Sequence, residues 1–83
     1  MATMLVELEP APTTPLNLQL GKFYSPRAET PPFVAFRALQ MDLGEYRIEG
    51  VDAAGNVQPL FDGPIITTFC RLAQHLRMDL PPS

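Results

Sequence analysis

The chain has little of what catalysis, metal binding or membrane insertion usually requires: among its 83 residues are one histidine, one cysteine, one lysine and no tryptophan. It has no run of about 18 apolar residues, so no segment is predicted to span a bilayer. The single cysteine, Cys70, excludes an intramolecular disulfide and a four-cysteine zinc site, and we expect it to be a small buried hydrophobic residue. The N-terminal residues contain no basic region before Glu7 and Glu9, which favours a cytoplasmic protein.

Positive charge is also scarce, because the net charge is −3 and the sequence pI is about 4.8. Nucleic-acid binding draws most of its affinity from clustered lysine and arginine, so this composition disfavours a general nucleic-acid surface. Every basic residue except Lys22 is an arginine, whose planar guanidinium suits contacts with carboxylates at protein interfaces. A GC-rich genome explains the same excess of arginine.

The length predicts one small domain, residues 1–83, with a narrow margin of stability. A composition that is 46% hydrophobic and 18% charged is too apolar for a disordered chain. Dimerisation would bury more apolar surface, so we expect a homodimer.

Short alternating runs predict strands in the first third of the chain. Residues 3–9 form a candidate first strand, and the prolines of 10–15 predict an extended linker after it. Residues 16–20 alternate leucine with polar residues, which predicts a strand with three leucines on one buried face that extends as far as Tyr24. Polar residues and prolines in 25–32 then predict a mobile loop.

Residues 33–41 are apolar on both faces and fit either a strand or a helix. Their aromatic start and the turn signal that follows favour a strand, and apolar residues on both faces place it in the middle of a sheet or against a partner. In that strand Phe33 and Ala35 would share one face, and Val34 and Phe36 the other.

A β-hairpin is predicted next. Residues 46–51 and 57–60 read as its strands, and residues 52–56 as a tight loop in which Gly55 takes a left-handed conformation. Pro59 lacks an N–H donor and therefore marks the returning strand as an edge strand or marks the end of that strand.

The C-terminal segment predicts an amphipathic helix over about 64–78, with Asp62 or Gly63 as its cap and Pro64 in its first turn. Five strands followed by this helix indicate an α+β fold: a small antiparallel sheet of about four to five strands with the helix packed on one face. The predicted core-facing stripe of the helix contains Ile65, Ile66, Phe69, Leu72, Ala73 and Leu76.

No catalytic, metal or cofactor motif is present, so we expect a protein that is not an enzyme and that binds no metal or cofactor. Cys70 and His75 lie five residues apart on the predicted helix and point about 140° apart, which separates a thiol from its base. The acidic residues lack the spacing of a calcium-binding loop. An active site would have to be shared across a dimer interface.

The leading hypothesis is a non-catalytic protein-interaction module, such as a small regulator, inhibitor or accessory subunit, that acts as a homodimer. Its size is typical of phage- and plasmid-encoded inhibitors. The two-sided strand, the loop before it and the exposed flank of the helix are the expected interface. The predicted partner-binding residues are Arg27, Phe33, Phe36, Arg37, Arg71, His75 and Arg77.

The alternative is a small nucleic-acid-binding protein. A basic and aromatic cluster at a strand end is typical of surfaces that stack on single-stranded bases in small β-barrels. Two aromatic residues in such a place are more often part of the core. The cluster contains Lys22, Phe23, Tyr24 and Arg27.

Overall fold

The computed structural model of the protein describes residues 8–12 and 17–78. Within these residues the chain forms five strands followed by one helix, the element order that the sequence predicts. The elements are β1 (Leu8–Pro10), β2 (Phe23–Ser25), β3 (Phe33–Asp42), β4 (Glu45–Asp52), β5 (Val57–Gly63) and α1 (Ile65–His75).

The strands form one open sheet in the order β1-β2-β3-β4-β5. Strand β1 runs parallel to β2, and the other neighbours are antiparallel, so the sheet is mostly antiparallel and the predicted α+β class is confirmed. Pro59 lies in β5 at the edge of the sheet, as predicted. Residues 3–7 of the predicted first strand and 13–15 of the predicted linker lie outside the described residues.

The prediction of a strand over 16–20 is wrong for its described residues, 17–20. Asn17 lies in a short 3₁₀ turn and Leu20 begins a turn at Gly21, whose φ of 83° breaks an extended strand. Leu18 is buried but Leu20 is exposed, so the leucines do not share a buried face. The place beside β3 is taken instead by β2, where Tyr24 pairs with Phe36.

Strand β3 is the central strand of the sheet and is buried on both faces, as its two-sided pattern predicts. An irregularity in its pairing with β4 between Phe33 and Ala35 shifts the alternation. Phe33 therefore packs beside Phe36 on one face, and Val34 beside Ala35 on the other. The predicted grouping of Phe33 with Ala35 is wrong because a β-bulge adds one residue to one strand.

Helix α1 covers one face of the sheet and forms the larger core with it. The buried residues of this core are Leu18, Tyr24, Phe36, Ala38, Ile48, Leu72, Ala73, Leu76 and Met78. Burial of this apolar surface, at about 25 cal/mol per Å², is the main force that holds the helix on the sheet.

The opposite face of the sheet carries a smaller cluster of Phe23, Ala35 and Val51. Arg37 extends this cluster, because its guanidinium carbon lies 4.4 Å from the centre of the Phe23 ring and its Nη2 lies 2.8 Å from Glu49 Oε1. Near its start, β3 therefore packs against other residues of the same chain on both faces.

The predicted hairpin between β4 and β5 is confirmed. The side chain of Asp52 closes its loop, since Oδ1 accepts hydrogen bonds from the backbone N–H groups of Ala54 (3.0 Å) and Asn56 (2.9 Å). These bonds, that from Asn56 first, hold the pKa of Asp52 below its usual value. Gly55 adopts a φ of 90°, as the loop requires.

The start of the helix differs from the prediction. Pro64 is the N-cap residue, and its side chain has no atom that could accept a capping hydrogen bond. Asp62, one of the two predicted caps, is engaged with Arg47 instead (Oδ1 to Nε, 2.8 Å). Ile66 is 77% exposed and Ile65 is also exposed, so the core-facing stripe is narrower than predicted. Cys70 is exposed on the outer side of the helix instead of buried.

The helix ends at His75, three residues earlier than predicted. Arg77 adopts a left-handed φ of 58°, its N–H donates to Gln74 O (3.1 Å), and the N–H of Met78 donates to Ala73 O (3.0 Å). This is the Schellman pattern, which terminates a helix and returns an apolar residue, here Met78, to the core. In the described residues no helix is long and apolar enough to span a membrane.

Candidate functional site

A cleft of ≈ 470 Å³ lies where the end of α1 meets the loop before β3. One wall of the cleft is formed by residues 29–31, and the other by residues between Arg71 and Arg77 at the end of α1 and just after it. Phe33 and Phe36 line the cleft from strand β3. We name this site the arginine cleft. It gathers Phe33, Phe36, Arg71, His75 and Arg77, five of the seven predicted partner-binding residues.

Aromatic rings form the inner part of the arginine cleft. The ring of Phe36 stacks on His75 with 5.0 Å between centroids and contacts Phe33 with 5.7 Å. Phe33 lies against Gly50 of β4, where a Cβ atom would stand only 2.8 Å from Phe33 Cδ1. Position 50 is therefore a glycine, because the Phe33 ring occupies the space that a side chain there would need.

The loop wall is fixed to the strand by a turn. The N–H of Phe33 donates to Thr30 O (2.9 Å), and Thr30 Oγ1 donates back to Phe33 O (3.2 Å). A second concavity, of ≈ 580 Å³, is lined by the same loop over residues 25–34 and contains Arg27. The N–H of Arg27 donates to Leu76 O (2.9 Å), so this arginine lies beside the end of the helix.

Within the described part of the chain, the basic residues fall into two groups. Ion pairs neutralise Lys22, Arg37 and Arg47, which contact Glu9, Glu49 and Asp62 respectively. No acidic partner lies within 4.0 Å of the other three in residues 8–12 and 17–78; these are Arg27, Arg71 and Arg77.

Among the described residues, two of the three arginines without an ion pair, Arg71 and Arg77, therefore line the arginine cleft, in a chain whose net charge is −3. The guanidinium carbon of Arg71 lies 4.7 Å from the centre of the Phe61 ring. This cation–π contact, and not a carboxylate, positions the side chain. Glu29 lies on the opposite wall, so Arg71 and Arg77 leave one net positive charge in the cleft.

The pKa of His75 is lowered from its ordinary value of 6.5, first because the ring is partly buried and then because Arg71 and Arg77 are nearby cations. A neutral imidazole is therefore favoured in the folded protein.

We expect acidification from pH 7 to about 5.5 to lower the melting temperature, since the unfolded chain takes up a proton at His75 more readily than the folded one does. The contribution is complete above pH 6.5 and is lost as the pH falls through the depressed pKa. A His75→Phe variant keeps a ring on Phe36 and should show a flatter profile in calorimetry. Equal slopes for the two proteins would contradict this assignment.

The other two predicted partner-binding residues lie apart from the cleft. Arg27 lines the neighbouring loop concavity, and Arg37 is on the opposite face of the sheet in its ion pair with Glu49. Neighbouring residues of a strand point to opposite faces of the sheet, so the sequence alone already separates Arg37 from Phe36.

The residues of the nucleic-acid alternative do not form an exposed stacking platform. Phe23 and Tyr24 are only 6% and 3% exposed, and the Tyr24 hydroxyl accepts a hydrogen bond from Gln19 N (2.9 Å). Lys22 is paired with Glu9 (3.1 Å). The aromatic rings belong to the two cores, one on each face of the sheet.

The described residues contain no group of three or more histidine, cysteine or acidic side chains placed to hold a metal ion. Over the same residues no hydrogen bond joins the exposed Cys70 to His75, whose ring is stacked on Phe36. Sequence reasoning named the loop over 25–32 as interface without singling out Glu29, Thr30 and Pro31, and it missed Gln74, because only the tertiary packing of loop on helix brings these residues together.

The fold and cleft together describe a small α+β protein with a five-stranded open sheet, one covering helix and a surface site of arginine and aromatic side chains. No protein-family model, curated protein or solved structure significantly matches the chain.

Proposed function

We propose that the chain is a non-catalytic protein-interaction module, a small regulator, inhibitor or accessory subunit, and that it binds its partner through the arginine cleft. The observation that carries the proposal is the division of the basic residues in the described part of the chain: the three that form ion pairs lie away from the cleft, and the two arginines that line it, Arg71 and Arg77, form none. Arginine and aromatic residues, phenylalanine among them, are enriched at protein–protein interfaces, and arginine is also enriched at binding hot spots.

The chemistry of the cleft favours an acidic protein segment as the partner. Arg71 and Arg77 offer planar donors for carboxylates, and Phe33 offers an apolar surface for a neighbouring side chain. The mild acidity of the whole chain repels a polyanion such as a nucleic acid but leaves this local positive site.

The test is affinity capture from the source organism with three forms of the tagged protein. Wild type and Arg47→Gln, whose arginine lies outside the cleft in an ion pair with Asp62, should retain the same partner. The Arg71→Gln/Arg77→Gln variant should lose it, with the affinity for the purified partner reduced by about 2 kcal/mol or more, roughly thirtyfold.

Two results would count against the proposal. One is a captured protein that binds the double variant as well as wild type. The other is oligonucleotide binding at low salt that the double variant abolishes, which would indicate a nucleic-acid ligand for the same arginines.

A further inference from the structure

The end of the molecule opposite the arginine cleft has the complementary chemistry. The turn between β3 and β4, residues 41–45, carries Leu43 with 93% of its surface exposed and Met41 with 49% exposed. Asp42 and Glu45 flank the leucine and are also exposed. We name residues 41–45 the hairpin tip.

The hairpin tip is built as a rigid projection. Asp42 pairs with Glu45 at the end of the β3–β4 ladder, and Gly44 takes the left-handed φ of 72° that the turn requires. The N–H of Leu43 donates to Asp42 Oδ1 at 2.8 Å. A preformed turn loses little conformational entropy on binding, so an exposed leucine at its apex is suited to insertion into a cleft.

Charge complementarity links the two ends. Neither Asp42 nor Glu45 forms an ion pair with any residue that the structure describes, and the same holds for Arg71 and Arg77 in the cleft. Within the described residues, one end of each molecule therefore has carboxylates without an ion pair around an apolar residue, and the other has guanidinium groups without an ion pair around aromatic rings.

A tip cannot enter the cleft of its own chain. Phe36 in the cleft and Asp42 in the tip are six residues apart along β3, which places them about 20 Å apart in an extended strand. The pairing of β3 with β4 holds this distance.

We propose that the hairpin tip of one copy docks in the arginine cleft of a second copy. Leu43 lies against the exposed parts of Phe33 and His75, and the Asp42 and Glu45 carboxylates face Arg71 and Arg77 across the interface. The proposal rests on the proposed function in using the same cleft, and it names the occupant as a second copy of this chain.

Such a contact joins two different surfaces, so it is heterologous. Each copy keeps one unused tip and one unused cleft after the first contact, and association therefore continues to a closed ring or an open chain. Because the attraction joins exposed charges, it weakens as salt shortens the Debye length from about 10 Å at 0.1 M to about 3 Å at 1 M.

Sedimentation velocity over a range of protein concentrations tests the assembly. Wild type should grow beyond a dimer at low salt and dissociate at high salt. A tip variant, Leu43→Ser/Glu45→Gln, and a cleft variant, Arg71→Gln/Arg77→Gln, should each remain monomeric. All of these substitutions are at exposed positions, and circular dichroism confirms that the variants are folded.

Mixing the two variants gives the decisive measurement. The tip variant retains an intact cleft and the cleft variant an intact tip, so an equimolar mixture should form a complex of two copies and nothing larger. No complex in the mixture, or a wild-type protein that stays monomeric at low salt, would overturn the proposal. So would a cleft variant that still dimerises, which would indicate a symmetric contact between tips.

The two proposals fail separately. A monomeric wild type that captures a foreign protein through Arg71 and Arg77 overturns self-association and leaves the proposed function intact. A self-associating wild type that captures no other protein supports the assembly and contradicts a regulator or inhibitor of another protein.

Discussion

Replacing Phe36 with alanine is expected to reduce the free energy of unfolding by about 3–5 kcal/mol, the usual loss when a buried phenylalanine is truncated. Phe36 is 2% exposed, belongs to the core between sheet and helix, and stacks on His75. A domain of 83 residues has a total stability of about 4–12 kcal/mol, so the variant should lose a large share of its stability. Urea unfolding followed by circular dichroism measures the loss.

Two variants control for the truncation itself. Phe36→Leu keeps most of the buried volume and should lose less, about 1 kcal/mol. Leu43→Ala removes a comparable apolar side chain from a position that is 93% exposed and should change stability by less than about 0.5 kcal/mol. A loss below about 1 kcal/mol for Phe36→Ala would show that the helix and sheet are not held together at this residue.

Replacing Arg77 with glycine is expected to stabilise the fold and to weaken partner binding. A residue other than glycine in the left-handed conformation costs about 1–2 kcal/mol, and Arg77 has a φ of 58°. The loss of a cation at the helix C-terminus offsets this by about 0.3–1 kcal/mol. The net gain of about 1 kcal/mol should raise the melting temperature by roughly 4–8 °C in calorimetry.

Arg77→Gln separates the two effects. It removes the charge but keeps the left-handed strain, so its stability should fall by a few tenths of a kcal/mol while its partner binding falls as far as that of Arg77→Gly. A glycine variant that is less stable than wild type would contradict the strain argument. A glycine variant that binds the partner normally would remove Arg77 from the binding surface.

The position of Arg77 is informative because local structure favours a different residue there. Glycine is the usual residue at the C′ position of a Schellman motif, and arginine is retained here beside the cleft. Backbone strain of this kind often accompanies a functional requirement for the side chain. We expect a substitution that stabilises the protein at Arg77 to weaken partner binding as well.

Much of the fold follows from local patterns in the sequence. The loop over 52–56 was predictable because a turn-forming aspartate and a glycine lie between two apolar alternations, and β4 and β5 form around it. The central position of β3 follows from its apolar residues on both faces. Pro59 cannot donate to a neighbouring strand, so β5 had to be an edge.

Other features depend on contacts that no local pattern reports. Leucine alternation over 16–20 predicts a strand, yet Gly21 turns the chain and β2 pairs with β3 instead. The bulge at the start of β3 exchanges the faces of Phe33 and Val34. Asp62 forms an ion pair with Arg47 on the neighbouring strand, and the helix N-terminus has no side-chain cap.

The candidate site also combines features that the sequence predicts with features that only the tertiary structure creates. Arg71 and His75 were predictable on the exposed flank of the helix, since angular spacing along one helix is a local property. Arg77 was expected there too, but it lies beyond the end of the helix in a left-handed conformation. The meeting of these residues with Phe33, Phe36 and the wall at 29–31 was not predictable, because it requires the helix to lie across the start of β3.

The sequence by itself determined most of the element types, their order and the α+β class, because backbone propensity and side-chain periodicity act between near neighbours. Only the tertiary structure decided which arginines are neutralised, which aromatic rings are buried and which residues line one cleft. Those outcomes depend on ion pairs and packing between residues far apart in the chain, as in Arg37 with Glu49 on one face and Phe36 with His75 on the other.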